Sequence, residues 1–213
     1  MALEAARGGS LFLLVQGGRL RLAPASGPVQ SIPVLEIMPA SSSALFVAPD
    51  VQMGKRLLPL ARKIFTETFA HLYDREAFDA FCAQAYAVDG SMAKDLADPE
   101  VRWRVAIIDD EPVGYAKLCP LRAPAPNPQP AALELQQIYV LQPWHGKGIA
   151  DTLMTWAITS AREVLATELY LTVFDHNMRA KRFYARHGFE EVGHCTFTLG
   201  DRVDDDRVWR KRL

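Results

Sequence analysis

Cysteine is scarce and unpatterned in this chain: Cys82, Cys119 and Cys195 are odd in number, widely separated and without metal-ligand spacing. A disulfide framework is thereby excluded, and reduced thiols in a cytoplasmic protein are expected. Net charge is nearly absent too. Twenty-four Lys and Arg against 25 Asp and Glu leave a formal charge of −1, whereas a general nucleic-acid binder carries a basic surplus for neutralising phosphates. The basic end Arg210-Lys-Arg212 reads as a solvated strand terminus. No apolar run approaches the length needed to cross a bilayer, and Leu11–Val15 lacks the basic leader and cleavage context of a signal peptide. The five histidines include no pair at ligand spacing, so no metal is expected.

What is present is enough apolar content, 49% of 213 residues, to bury one sizeable core, so one domain with a terminal extension is the natural expectation. Residues 1–44 are rich in Gly, Ser, Ala and Pro. Within them Leu11–Gln16 and Arg19–Leu22 flank Gly17-Gly18, a two-residue hairpin signal. A disordered leader, or a start of translation at Met38, competes with that hairpin. From Leu45 to Leu213 the pattern is regular. It predicts a strand at Ala44–Val47, helices at Lys55–Leu72 and Arg75–Tyr86, and a further turn at Ala93–Leu96. A hairpin over Trp103–Ile108 and Val113–Cys119 follows, turning at Asp109–Pro112. Five prolines in Pro120–Pro130 demand an extended surface connection. The last strands are expected at Val192–Leu199 and Arg207–Leu213, with Gly200–Asp206 as their turn.

The strand Leu133–Val140 carries an irregularity. Its apolar residues alternate on one phase at Leu133 and Leu135 and on the other at Ile138 and Val140, which a bulge explains most simply. Burial on both faces is the alternative. After it comes Val140-Leu-Gln-Pro-Trp-His-Gly-Lys-Gly-Ile-Ala150, opening an amphipathic helix. Gly146 and Gly148, with small Ala150, let backbone N–H groups turn inward together, and the helix adds its positive end. This is a loop for a pyrophosphate. It is not a nucleoside-triphosphate loop, since no hydroxyl follows Lys147. Nor is it a dinucleotide fingerprint, since Asp151 stands where a third small residue is needed.

Read with its flanks, His145-Gly-Lys-Gly-Ile-Ala150 resembles the acyl-CoA loop of the GNAT family of N-acetyltransferases, with His145 departing from that family's Gln or Arg. The likeness continues through Leu133–Val140, through Leu169–Val173, and through Asn177–Phe189, which is similar to the family's Asn-x-x-Ala-x-x-Phe-Tyr-x-x-x-Gly-Phe. Phe65–His71 and Phe197–Asp201 resemble the bacterial spermidine/spermine N-acetyltransferase subgroup. The resemblance implies an α/β (α+β) fold, with a mixed, mostly antiparallel sheet of six to seven strands, flanking helices and one splayed strand pair. It also implies transfer of acetyl from acetyl-CoA to a primary amine of a small molecule, with a polyamine as one candidate. A catalytically weakened acyl-CoA-binding domain and a protein or peptide N-acetyltransferase are the competing functions. A homodimer is left open.

Site residues follow from the same likeness. The backbone of Ile138, Tyr139 and Val140 would pair with the pantetheine arm. His145, Gly146, Lys147, Gly148, Ile149 and Ala150 would hold phosphates, with added charge from Lys147, Lys181 or Arg186. Asn177 would cap its helix and bond the cofactor arm, while Ala180 and Phe183 line its path. Tyr184 matches the family's acid toward the leaving thiolate. Gln136 occupies the place where many relatives carry a Glu base. Glu134 is therefore expected to act through a water positioned by Gln136, or else to be a solvated strand-end charge. Tyr73, Asp74, Glu76, Asp79 and Asp204–Asp206 are candidates for an acidic acceptor mouth.

Overall fold

The computed structural model describes residues 43–213; the expected hairpin at 11–22 lies outside them. Seven strands form one sheet in the order β1-β2-β3-β4-β5-β7-β6. They are β1 (Leu45–Val47), β2 (Arg102–Ile108), β3 (Glu111–Pro120), β4 (Leu133–Val140), β5 (Glu168–Phe174), β6 (Glu190–Leu199) and β7 (Arg202–Arg212). Five helices flank it: α1 (Val51–Phe69), α2 (Arg75–Ala85), α3 (Ser91–Ala97), α4 (Ile149–Glu163) and α5 (Met178–Arg186). Every neighbouring pair is antiparallel except β4 and β5. The expected mixed, mostly antiparallel α/β fold is therefore present.

Local chemistry sets most boundaries. Helix α1 begins a turn earlier than its apolar spacing suggests because the Asp50 carboxylate accepts from the Met53 amide at 2.7 Å, satisfying one of the orphan donors of a helix start. The β2–β3 turn is tighter than expected. Asp109 and Asp110 both take positive φ, 50° and 62°, as a two-residue hairpin turn requires.

One boundary differs in a way that matters. The β6–β7 turn is only Gly200-Asp201, and Asp204, Asp205 and Asp206 lie inside β7 rather than in a turn. Charged residues spoil a strand's apolar alternation, so the sequence pattern begins the strand too late. The structure places Asp204 and Asp206 on one face, alternating with Asp205 on the other.

Two helical layers cover the sheet. On one side α4 and α5 bury Leu153, Ala157, Ala180 and Phe183 against Leu118, Leu169 and Leu171. On the other, α1 packs Leu57, Ala61 and Ile64 against Val105, Tyr115 and Tyr139. Phe65 and Phe69 extend that layer over α2 to Phe197.

Strand β4 lies between the layers and contains the anticipated bulge. Lys117 pairs with Gln137 but Leu118 pairs with Leu135, which leaves Gln136 as the extra residue. The insertion reconciles the broken alternation. Leu135, Ile138 and Val140 all reach the core under α4, with Leu133 packed at its margin, while Tyr139 faces α1. Deleting Gln136 should flip Ile138 and Val140 out of that core, costing roughly 3 kcal/mol or more. Gln136→Ala should retain the wild-type fold. Denaturant midpoints of the two variants check this: comparable midpoints would remove the bulge as a determinant of register.

Candidate active site

Parallel pairing between β4 and β5 consists of only Leu133–Leu169 and Glu134–Tyr170. Beyond it the two strands run on without a ladder between them. The β5-facing backbone edge of 135–140 is thus open to an added strand-like partner, and Ile138, Tyr139 and Val140 lie along that opening. The pair is splayed as expected.

One end of the opening leads to the glycine loop. Gly146 and Gly148 take φ of +73° and +80°, and a Cβ at either would meet nothing within 4 Å. The two glycines therefore serve backbone direction, and the space above them is clear. Gly148 stands at the N-cap of α4 and no side chain caps that helix, so its positive end faces a pocket lined by His145, Gly146, Gly148, Ala150, Arg179 and Arg186. An anion fits such a place on dipole and backbone grounds alone.

His145 has a role that its departure from the family pattern does not reveal. Its Nε2 bonds the Val140 carbonyl at 2.7 Å, and its Nδ1 meets the Arg179 guanidinium at 3.2 Å. An Nε2-protonated ring donates to the first and accepts from the second. It thereby ties the loop to the end of β4 and holds Arg179 over the pocket. Lys147 and Lys181 are placed elsewhere. Lys147 lies 4.2 Å over the Trp144 ring, and Lys181 is paired with Asp175, so of the three proposed cations only Arg186 lines the pocket. Arg179 is the residue that sequence reasoning missed. Its signal was available, because Arg179, Phe183 and Arg186 form an i, i+4, i+7 stripe on α5.

The remaining cofactor-side residues are brought together. Asn177 Oδ1 accepts from the Ala180 amide at 3.0 Å and so caps α5. Phe183 lines the pocket at the N-terminus of α4, and Ile149 is buried in the core. Tyr184 is 1% exposed, with its ring against Phe183 and Phe189. Burial first, and then the phenol of Tyr139, push its pKa well above the ordinary value.

On the opposite face of β4 lies a larger cavity of about 460 Å³, with Gln136, Gln137 and Tyr139 in one wall and Phe65, Phe81 and Phe197 in another. Val140 lines the pocket at the N-terminus of α4 and its neighbour Tyr139 lines this one. The alternation of a single strand separates the two sites.

Glu134 is not a solvated strand-end charge. It is fully buried, and its Oε2 accepts from the Arg122 and Ala123 amides at 2.9 and 2.8 Å. Burial raises its pKa while those two amides lower it. The carboxylate therefore pins the proline-rich connection to β4, and it is absent from the cavity lining. A water-relayed base at Glu134 loses its geometric support, because the strand pairs Glu134 with Cys119 behind the bulge rather than beside the opening.

The expected acidic mouth is also dispersed. Asp74 caps α2 through the Glu76 and Ala77 amides. Asp204 is buried, bound by the Tyr73 hydroxyl and by Arg202. Asp206 is 1% exposed, and neither of its carboxylate oxygens has a hydrogen-bond partner. Burial, then the charges of Asp204, Asp205 and Asp175, push its pKa up to about 7. It lies opposite Phe174 at the open end of β5 and close enough to Tyr139 to perturb that phenol.

The comparisons with known proteins agree with this geometry. The pattern of the acetyltransferase (GNAT) family matches residues 58–189. The chain belongs to the GNAT acetyltransferase family. It is an acyltransferase of the N-acetyltransferase kind. An uncharacterized N-acetyltransferase of Lactobacillus delbrueckii subsp. lactis is 29% identical over 167 residues, 76% of this chain and 96% of that one. The aminoalkylphosphonate N-acetyltransferase of Salmonella typhimurium is 33% identical over 107 residues, 50% and 67% of the two chains. Among solved structures, the PaiA N-acetyltransferase of Thermoplasma acidophilum, in complex with coenzyme A, shares the fold. Its TM-score is 0.63 at 20% identity, over 80% of this chain and 99% of that one. No described helix is long and apolar enough to cross a membrane.

Asp206 generates a stability prediction. Its folded pKa lies above the ordinary carboxylate value, so its contribution is fully present below about pH 4 and is lost as pH rises through about 7, amounting to roughly 4 kcal/mol at most. Asp206→Asn should therefore stabilise the protein at pH 8.5 by roughly 2 kcal/mol or more and leave it nearly unchanged at pH 4.5. Urea unfolding at the two pH values measures this, and a pH-independent difference would refute the ionisation argument.

Proposed function

We propose that this GNAT-family enzyme transfers an acetyl group from acetyl-CoA to the primary amine of a small molecule. The observation that carries the reading is the unpaired edge of β4, with an uncapped helix terminus at one side and a separate cavity at the other. Acetyl-CoA supplies an activated thioester; the chain's own residues grip, orient and move protons. The backbone at 138–140 would align the pantetheine arm, and the loop 145–150 with Arg179 and Arg186 would hold the pyrophosphate.

Tyr184 is assigned to the leaving thiolate. Its raised pKa keeps the phenol protonated throughout the working range, so it donates a hydrogen bond as negative charge develops on sulfur. A primary amine with a pKa of about 10.4 is mostly protonated at neutral pH, and that proton needs an acceptor. Gln136 cannot take it, and Glu134, whose Oε2 is held by two backbone amides while Oε1 is buried without a partner, does not line the cavity. Asp206 does not line the cavity either, but both of its oxygens are unpartnered and its pKa is pushed up to about 7, so the proton is assigned to it. It acts from beside Tyr139, with Gln136 orienting the amine.

A polyamine acceptor rests on the subgroup likeness and on the acidic residues around α2 and β7. The burial of Asp204 and Asp206 weakens that support. The acceptor named for the Salmonella relative is an amine that carries an anion.

Thiol release from acetyl-CoA across a panel of primary amines tests the transfer. Tyr184→Phe should lower kcat by about 10- to 100-fold with little change in acetyl-CoA affinity; equal turnover would remove the acid role. Asp206→Asn should flatten the rise of kcat/KM through about pH 7, and an unshifted profile would assign the proton elsewhere. Arg179→Ala should weaken coenzyme A binding by about tenfold in calorimetry, as expected for one charge-assisted phosphate contact.

A further inference from the structure

The cavity on the α1 side of β4 has two chemically distinct ends. One end is aromatic, with Phe65, Phe81 and Phe197. The other presents Lys94, Lys117 and Arg122 against one lining carboxylate, Asp95. Asp95 serves two of those cations at once. It holds the Lys117 ammonium and, at 2.9 Å, Nη1 of Arg122, so its single negative charge is divided between them. Counting Glu134, which is buried behind the Arg122 backbone, still leaves three cations to two carboxylates. The excess cation is the exposed Lys94, whereas Lys117 is fixed in place, its side chain only 4% exposed and lying 5.4 Å over the Trp103 ring.

A buried lysine is costly to retain unless its charge is used or matched. Burial draws the Lys117 pKa down and Asp95 pushes it back up; an anion arriving in the cavity would complete that compensation. A cationic tail would instead meet like charge in a partly desolvated wall, which disfavours polyamines at this end. Arg122 remains about a third exposed, and its planar fork suits a two-oxygen anion.

Resting on the acetyl-transfer reading above, we propose that the acceptor is an amine bearing a second, anionic group, a carboxylate or a phosphonate, held by Lys117 and Arg122. The amine is presented to β4 at Gln136 and Tyr139, and any apolar portion packs toward Phe81 and Phe197. The clamp acts on substrate choice; it takes no part in bond making.

The test uses the full chain and a set of primary amines of equal length that end in a carboxylate, a phosphonate, a neutral amide or a second amine. In thiol release, kcat/KM for an anionic member should exceed that for the neutral amide by about tenfold or more, and the diamine should be poorest. Arg122→Gln should lower that anionic-to-neutral ratio by about tenfold, chiefly through KM. Lys94→Gln, at an exposed position, should lower it by less. Calorimetry of the same amines on the coenzyme A complex reads the clamp without turnover. Tighter binding of anionic members, lost in Arg122→Gln, supports it even if no amine releases thiol, an outcome that would overturn acetyl transfer instead. Preference for the diamine or the amide in both assays, or a ratio unmoved by Arg122→Gln, overturns the clamp. A carboxylate-only or phosphonate-only preference identifies which anion the clamp takes.

Discussion

Parallel pairing between β4 and β5 ends at Glu134 and Tyr170, immediately before the bulge at Gln136. A bulge bends its strand and increases its twist, so the second half of β4 departs from β5 while remaining fully paired to β3. An unpaired backbone edge inside a protein is normally a liability. Here it is flanked by helices on both faces of the sheet, so the edge is reached only through the opening between the strands. The pocket at the N-terminus of α4 and the cavity on the α1 side are both arranged around that interruption.

The same interruption places the two pockets on opposite faces of β4. Because the bulge restores one-sided alternation, Ile138 and Val140 support the layer of α4 and α5 that carries the glycine loop, while Tyr139 and the two glutamines face α1. His145 makes the link between strand and loop explicit, bonding the last carbonyl of β4 and the Arg179 guanidinium with opposite sides of one ring. Loop, strand and α5 therefore form one mechanical unit at the anion pocket.

Electrostatics divide along the same line. Carboxylates around the α1-side cavity are mostly engaged: Asp95 by Lys117 and Arg122, Asp204 by Tyr73 and Arg202, and Glu134 by two backbone amides at Oε2, with Oε1 unpartnered. Asp206 is different, being buried beside other acids with its oxygens unpartnered. Such a group is unfavourable to stability at neutral pH, the kind of local cost that proteins tolerate where chemistry requires it.

The sequence by itself determined the element order, the glycine loop before α4, the cap at Asn177, and the presence of a bulge in β4. Each is encoded within a few neighbouring residues: glycine freedom, side-chain capping, the phase of apolar alternation. It also carried the family likeness, through short motifs kept in order. Only the tertiary structure decided that Asp204–Asp206 belong to a strand, that Glu134 is a buried clamp, that Arg179 rather than Lys147 faces the anion pocket, and that Lys117 meets Arg122 across Asp95. These facts depend on contacts between residues 11 to 131 positions apart or on which way a strand faces. Local composition does not constrain either, because burial and charge pairing are properties of the packed layers and not of the segment that supplies the side chain.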